Sequence, residues 1–261
     1  MKRKITSALA ALMIGTSSCA TNVQEMFMQT KALSNYEQCM DGQYDNSSRC
    51  LEDNLGEAIA GVYSMGTMAL VIDKKNDSQL AINVGTGILF QGGYFLTAYH
   101  TVKESETRKP IKTLMGTEEY TIQLDMIIAD NDLDFALMKV DEKISSKLKK
   151  YNLRIGKPSD LKVGNITYLI GNALRGGINT REGIVSQLKF SNPALMSVSN
   201  GGNQGDSGGP VIALRDGKIE LIGMVSSKVQ DSSNLTYVIR IDKILDKIKE
   251  LTEGHSEKQH I

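Results

Sequence analysis

From about residue 59 onward the chain repeats one texture, in which a short apolar run is followed by a cluster of turn residues. TMALVI, QLAINV, GILF, YFLTAY, YTIQLDMII and DFALMKV come first; ITYLI, GIVSQL, LMSVS, PVIAL, IELIGMV and LTYVIRI follow. Their spacing, roughly 8 to 12 residues, is that of antiparallel sandwiches and barrels, so the pattern predicts an all-β fold. Turn chemistry agrees. Gln91-Gly92-Gly93 and Arg215-Asp216-Gly217-Lys218 each separate two runs, and Asp-Gly can take the positive φ that hairpin turns need.

Two stretches break the rhythm. VDEKISSKLKKYNLRIGKPSD, residues 140–160, is charged, contains a proline and divides the strands into six before and six after. Near the end, IDKILDKIKEL places Ile241, Ile244, Leu245, Ile248 and Leu251 on one face of a helix, with lysines and acids opposite. The expected layout is a first strand set over about 59–140, a linker over 141–160, a second set over about 161–240 and a helix over 241–251. Residues 252–261 read as a frayed, disordered tail, and residues 20–58 as a polar tether with at most one short helix.

Composition adds little beyond ordinary globularity: 261 residues, 41% hydrophobic and 23% charged. The 30 basic and 30 acidic side chains balance, which argues against a nucleic-acid partner. The N-terminus says more. Lys2, Arg3 and Lys4 precede an apolar stretch from Ile5 to Ile14 that ends in small residues, the form of an export signal over residues 1–19. Thr16-Ser17-Ser18-Cys19 resembles a bacterial lipobox, which would make Cys19 a lipidated membrane anchor, although Thr16 stands where an aliphatic residue is usual. Cleavage after Ala20, giving a secreted chain, is the competing route. A lipidated Cys19 leaves Cys39 and Cys50, which can pair across a short loop; two free thiols are the alternative.

The chemistry concentrates in Gly202–Val211, GNQGDSGGPV. A serine hydroxyl is a poor nucleophile near neutral pH, so acyl transfer needs a base within reach and donors aimed at the developing oxyanion. Glycine-rich backbone around Ser207 can turn the N–H groups of Gly205 and Ser207 toward one point and leave room for a substrate carbonyl. Of the three histidines, His255 and His260 lie in the tail, leaving His100 as the base in the folded body. The carboxylate that orients it is sought in Asp130-Asn131-Asp132-Leu133-Asp134. Asp134, directly before a strand, is the first choice and Asp132 the second; Asp130 reads as a solvated turn acid.

The order His100, Asp134, Ser207, set in TAYHTV, DFALMKV and GDSGGPV, resembles the trypsin-like serine proteases of the chymotrypsin fold. The resemblance spans about 59–250 and is strong around these three motifs. It implies two six-stranded antiparallel β-barrels with a C-terminal helix and a triad between them. It makes Ser207 the nucleophile, His100 the general base, Asp134 its orienting carboxylate, and Gly205 and Ser207 the oxyanion hole. Protein or peptide substrates, a monomer and no metal or other cofactor are expected.

Residues 51–261 contain no cysteine, so the chain is more similar to the exported bacterial members than to animal trypsins. Some of those carry a peptide-binding domain after the protease; here a lone protease domain is expected. Gly201 falls at the base of the primary specificity pocket, which argues against a preference for basic residues. Ser226-Ser227-Lys228 aligns with the strand that pairs with substrate backbone, with Lys228 where glycine is frequent. Held beside the nucleophile, Asp206 needs a partner. In zymogen members that partner is a new N-terminus, and cleavage between Ala58 and Ile59 would supply one; alternatively, Ala58–Ile72 simply begins the first barrel. Rival readings are a catalytically silent homologue that binds peptides or a partner protein at the cell envelope, and an esterase. A lost triad member would mark the first and a strand–turn–helix at the serine the second; neither is present in the sequence.

Overall fold

The first apolar runs form one seven-stranded antiparallel sheet, in the order β5-β4-β1-β2-β3-β7-β6. Its strands are β1 (Thr67–Asn76), β2 (Gln79–Phe90), β3 (Tyr94–Ala98), β4 (Ile111–Met115), β5 (Glu118–Ile122), β6 (Leu124–Asp130) and β7 (Phe135–Val140). The computed structural model describes residues 67–76, 79–90, 93–103, 111–115, 118–140, 154–215, 218–226 and 235–257. The export signal, the tether with Cys19, Cys39 and Cys50, the Ala58–Ile59 bond, Ser227, Lys228 and His260 lie outside these residues.

The second set closes on itself as a six-stranded barrel, β10-β13-β12-β11-β8-β9. It comprises β8 (Ile166–Gly171), β9 (Asn179–Gln187), β10 (Leu195–Val198), β11 (Pro210–Arg215), β12 (Lys218–Val225) and β13 (Thr236–Arg240). Pro210 occupies the first position of its strand, where no ladder N–H is required. Arg154–Gly156 joins the barrel through a short parallel bridge, Ile155 opposite Leu221.

All-β holds, but the first half departs from the expected six-stranded barrel: seven strands lie in an open order, with no closure among the described residues. QLAINV and GILF fuse into the 12-residue β2, because Gly85 and Gly87 serve close approach instead of a turn. The ring of Phe95 lies against Gly87, where a Cβ would collide with it. YTIQLDMII splits at Gln123, and IKTLM, too short and too polar to register as a run, supplies β4.

Among the described residues, three apolar clusters hold these sheets. The largest draws on both halves, joining Ile88, Leu96 and Phe135 to Tyr168, Ile170, Leu221 and Met224. The last helix, α2 (Ile241–Glu257), seals that cluster with Ile241, Ile244 and Ile248, all fully buried or nearly so. The first helix among the described residues, α1, is a four-residue turn, Tyr99–Val102, directly after β3. The predicted amphipathic face of α2 ends at Leu251, whereas the helix continues to Glu257 and so includes His255. Backbone hydrogen bonding does not need an apolar face, and the Thr252 hydroxyl adds bonds to the Ile248 and Lys249 carbonyls.

Candidate active site

β3 delivers the chain into α1, and the buried Thr101 and Val102 pin that turn in place. The Thr101 hydroxyl donates to the Ala98 carbonyl at 2.6 Å. His100 is thereby held at the junction with its side chain about 30% exposed. Asp134 meets it from the turn between β6 and β7. Its φ of +54° is a left-handed conformation that aspartate tolerates better than most residues, and Asp130 supports the turn by accepting from the Leu133 N–H at 2.7 Å.

Asp134 is buried, and donors surround its carboxylate. The His100 main-chain N–H reaches Oδ1 at 3.0 Å. Nδ1 of the imidazole lies 2.8 Å from Oδ2 and 3.1 Å from Oδ1. The Ser226 hydroxyl donates to Oδ2 at 3.2 Å across 92 residues of sequence. An ionised carboxylate can only accept, so Nδ1 carries the ring proton and Nε2 is the unprotonated, accepting nitrogen. Of the other candidate acids, Asp132 is exposed, and Asp130 sits in the turn but is not the solvated acid expected: its side chain is only 13% exposed, accepts from the Leu133 N–H and faces Lys247.

The loop from Asn203 to Gly209 can be followed one peptide at a time. Each peptide is a rigid trans plane, so holding its carbonyl on one side aims its N–H to the other. The Gln204 carbonyl accepts from Leu174 N–H at 2.8 Å, the Gly205 carbonyl from the Thr86 hydroxyl at 2.8 Å and the Asp206 carbonyl from Gly209 N–H at 2.7 Å. The Ser207 carbonyl accepts from Thr86 N–H at 2.8 Å. On the donor side, Asp206 N–H binds the Asn203 carbonyl and Gly208 N–H that of Val225. Gly205 N–H and Ser207 N–H donate to nothing among the described residues.

Gly205 and Gly208 adopt φ of +100° and +86°. A Cβ on Gly208 would strike the Thr86 carbonyl and approach Ala98 N to 2.7 Å, two residues from His100. The turn that follows Ser207 is therefore packed directly onto the strand end that carries the histidine. The Ser207 hydroxyl has no hydrogen bond among the described residues. In sites without substrate such contacts are often long and tighten only when substrate binds.

Asp206, beside Ser207 in the chain, is fully buried, and its partner is Arg181 of β9, with Nη2 2.7 Å from Oδ2. Asn203 N–H donates to the same oxygen at 2.6 Å. The other oxygen, Oδ1, has no hydrogen-bond donor among the described residues and rests against Gly171. Burial pushes the carboxyl above its ordinary range, against the opposing pull of the Asn203 N–H and the Arg181 cation. Among the described residues, Arg181 supplies a cation beside Asp206; the Ala58–Ile59 bond lies outside them.

Gly201, the expected pocket base, has φ of +63° and open space where a Cβ would stand. Ser226, expected to face substrate, turns its hydroxyl to Asp134 and gives its N–H to the Tyr237 carbonyl at 3.1 Å. Thr86 and Arg181 were not legible as site residues. Thr86 sits between two glycines that read as a strand break, and Arg181 lies in a polar stretch, NTREG, with no motif.

The trypsin-like peptidase domain family matches residues 85–224, more than half of the chain. The chain belongs to this family. Among similar trypsin-like proteins, the probable periplasmic serine endoprotease DegP-like of Hahella chejuensis is 28% identical over 192 residues, 71% of this chain and 39% of that protein. Its namesake from Pseudomonas fluorescens is 26% identical over 188 residues, covering 70% and 37%. The chain therefore spans less than two-fifths of the length of these two relatives. The solved serine endoprotease of Yersinia pestis shares the fold with a TM-score of 0.57 at 19% identity, covering 73% of this chain and 64% of that one.

Proposed function

We propose that this trypsin-like chain is an exported serine endopeptidase that hydrolyses peptide bonds through an acyl-enzyme on Ser207. The observation that carries the reading is the pair of undonated N–H groups, Gly205 and Ser207, flanking one serine whose loop packs against the histidine–aspartate pair. The similarity to proteins named periplasmic serine endoproteases supports both the chemistry and a periplasmic or cell-envelope location. The N-terminal signal supports export, with Cys19 as the point of lipid attachment.

In this mechanism Nε2 of His100 accepts the Ser207 proton as Oγ attacks the scissile carbonyl carbon. Asp134 keeps the proton on Nδ1 and stabilises the imidazolium without itself taking a proton. The carbonyl oxygen becomes an oxyanion between Gly205 N–H and Ser207 N–H. Such preorganised donors cost no reorganisation when charge develops, and one alone is worth about 10²–10³ in rate. The imidazolium then protonates the leaving amine, and water repeats the sequence to release the acyl group.

Fluorophosphonate labelling of the purified chain tests this directly. Wild type should label covalently, while Ser207→Ala and His100→Ala should not. An unlabelled wild type, already processed at its N-terminus, would replace this reading with a catalytically silent, peptide-binding one.

A further inference from the structure

Thr86 belongs to none of the three catalytic motifs, yet it touches the site on every side. Its hydroxyl, fully buried, donates to the Gly205 carbonyl at 2.8 Å across 119 residues and accepts from Asn172 N–H at 3.0 Å. Its own N–H holds the Ser207 carbonyl at 2.8 Å. Its carbonyl receives the Thr97 hydroxyl at 2.7 Å, and Thr97 lies 3.3 Å from the Thr101 hydroxyl beside the histidine.

We propose that Thr86 is a positioning residue for the oxyanion turn, its hydroxyl locking the peptide planes on both sides of Gly205. This rests on the protease reading above.

With φ of +100° and no Cβ, Gly205 has little intrinsic preference among many conformations, so the aim of its N–H must be imposed from outside. Two planes meet at its Cα. The plane carrying its carbonyl is held by Thr86 directly. The plane carrying its N–H is held at the Gln204 carbonyl by Leu174 N–H.

Leu174 is itself held in place through Asn172, whose N–H is bound to Thr86 and whose side chain, 3% exposed, accepts from Gly177 N–H at 2.9 Å. Leu174 and Arg175 have φ of +53° and +63°, conformations that non-glycine residues adopt only when their surroundings force them. Leu174 is also 71% exposed, so burial of its side chain does not explain that strain. Its N–H, aimed at Gln204, does.

A hydroxyl is suited to this place because it donates and accepts at once. Valine matches threonine in shape and does neither; serine does both. The comparison of Thr86→Val with Thr86→Ser therefore separates the hydroxyl from the packing. The readouts are kcat and KM on a peptide substrate, with rates normalised to the fluorophosphonate-titratable fraction, and affinities for a peptide aldehyde and for a product peptide. The aldehyde forms a tetrahedral adduct that needs the oxyanion donors; the product peptide does not.

Thr86→Val should lower kcat at least about tenfold, and at most about 10³-fold, the cost of one lost oxyanion donor. KM and product affinity should stay near wild type, and aldehyde affinity should fall in step with kcat. Thr86→Ser should recover most of the loss. If valine does not fold, Thr86→Cys carries the same comparison, because a thiol is a weak donor and acceptor. Wild-type kcat in the valine variant, equal damage in valine and serine, or parallel loss of aldehyde and product affinity would overturn the proposal. A wild type that neither cleaves nor labels would instead remove the protease reading on which it stands.

Discussion

Among the described contacts, the Asp134 carboxylate accepts from the His100 main-chain N–H, the His100 ring and the Ser226 hydroxyl, and they do different work. The main-chain N–H of His100 and the Ser226 hydroxyl fix where the carboxylate sits, while the Nδ1 contact fixes which imidazole tautomer exists. Asp134→Asn keeps the size of the side chain but can present an N–H to Nδ1, which moves the ring proton to Nε2 and blocks it from accepting. A loss of about 10⁴ in kcat is expected. Ser226→Ala leaves the tautomer intact and removes one bond to a charged acceptor, so about tenfold is expected, equivalent to about 1.4 kcal/mol. Steady-state kinetics of the two variants on one substrate check the ranking. Asp206 contributes differently. Burial raises its folded pKa, so the fold favours the protonated acid. That contribution is complete below the unfolded value of about 3.9 and is lost as pH rises through the folded value. Asp206→Asn does not titrate. The stability of wild type relative to this variant should therefore decline as pH rises above about 4, the unfolded value, as read from urea midpoints. A difference that grew with pH would mean that Arg181 outweighs burial.

Strands carry these residues, and the strand ends decide where they point. Gly208 has φ of +86° and sits with its Cα against the β2 and β3 backbone, so an added methyl meets main chain that cannot step aside. Gly164 has φ of +92° and open space around it. Gly164→Ala should thus cost about 1–2 kcal/mol, from backbone conformation alone. Gly208→Ala should cost that and an overpacking penalty of about 1–3 kcal/mol more, with activity falling as His100 and Ser207 are pushed apart. Denaturant titration of both variants separates strain from contact. The same contrast explains what the sequence could and could not disclose. The six runs after the linker became the six strands of the barrel because each was bounded by turn residues. Before it, Gly85 and Gly87 look identical to turn glycines, and only the Phe95 ring lying on Gly87 shows that they thin a continuous strand. GDSGGP and TAYHTV are local strings and could be read; the Thr86–Gly205 and Arg181–Asp206 contacts join residues far apart in the chain and leave no local trace.

At the scale of the molecule, the question is what keeps a sheet and a barrel in fixed register when the residues proposed for catalysis come from both. His100 and Asp134 belong to the first half and Ser207 to the second, so relative motion of the halves would open the site. The apolar cluster that spans them resists this, with Ile88 and Phe135 from the sheet sharing neighbours with Leu221, Met224 and the buried face of α2. Truncating Ile244 therefore tests cohesion better than truncating a residue within one sheet. Ile244→Ala should cost about 2–5 kcal/mol, the range for deleting a fully buried aliphatic side chain. Because the cavity opens at the shared cluster, protection against hydrogen exchange should drop together in β3 and β12, in one cooperative unit. Were β12 alone to lose protection, the helix would be stabilising only the barrel, and the register of the triad would have to be explained by the polar contacts of Thr86 and Ser226 instead.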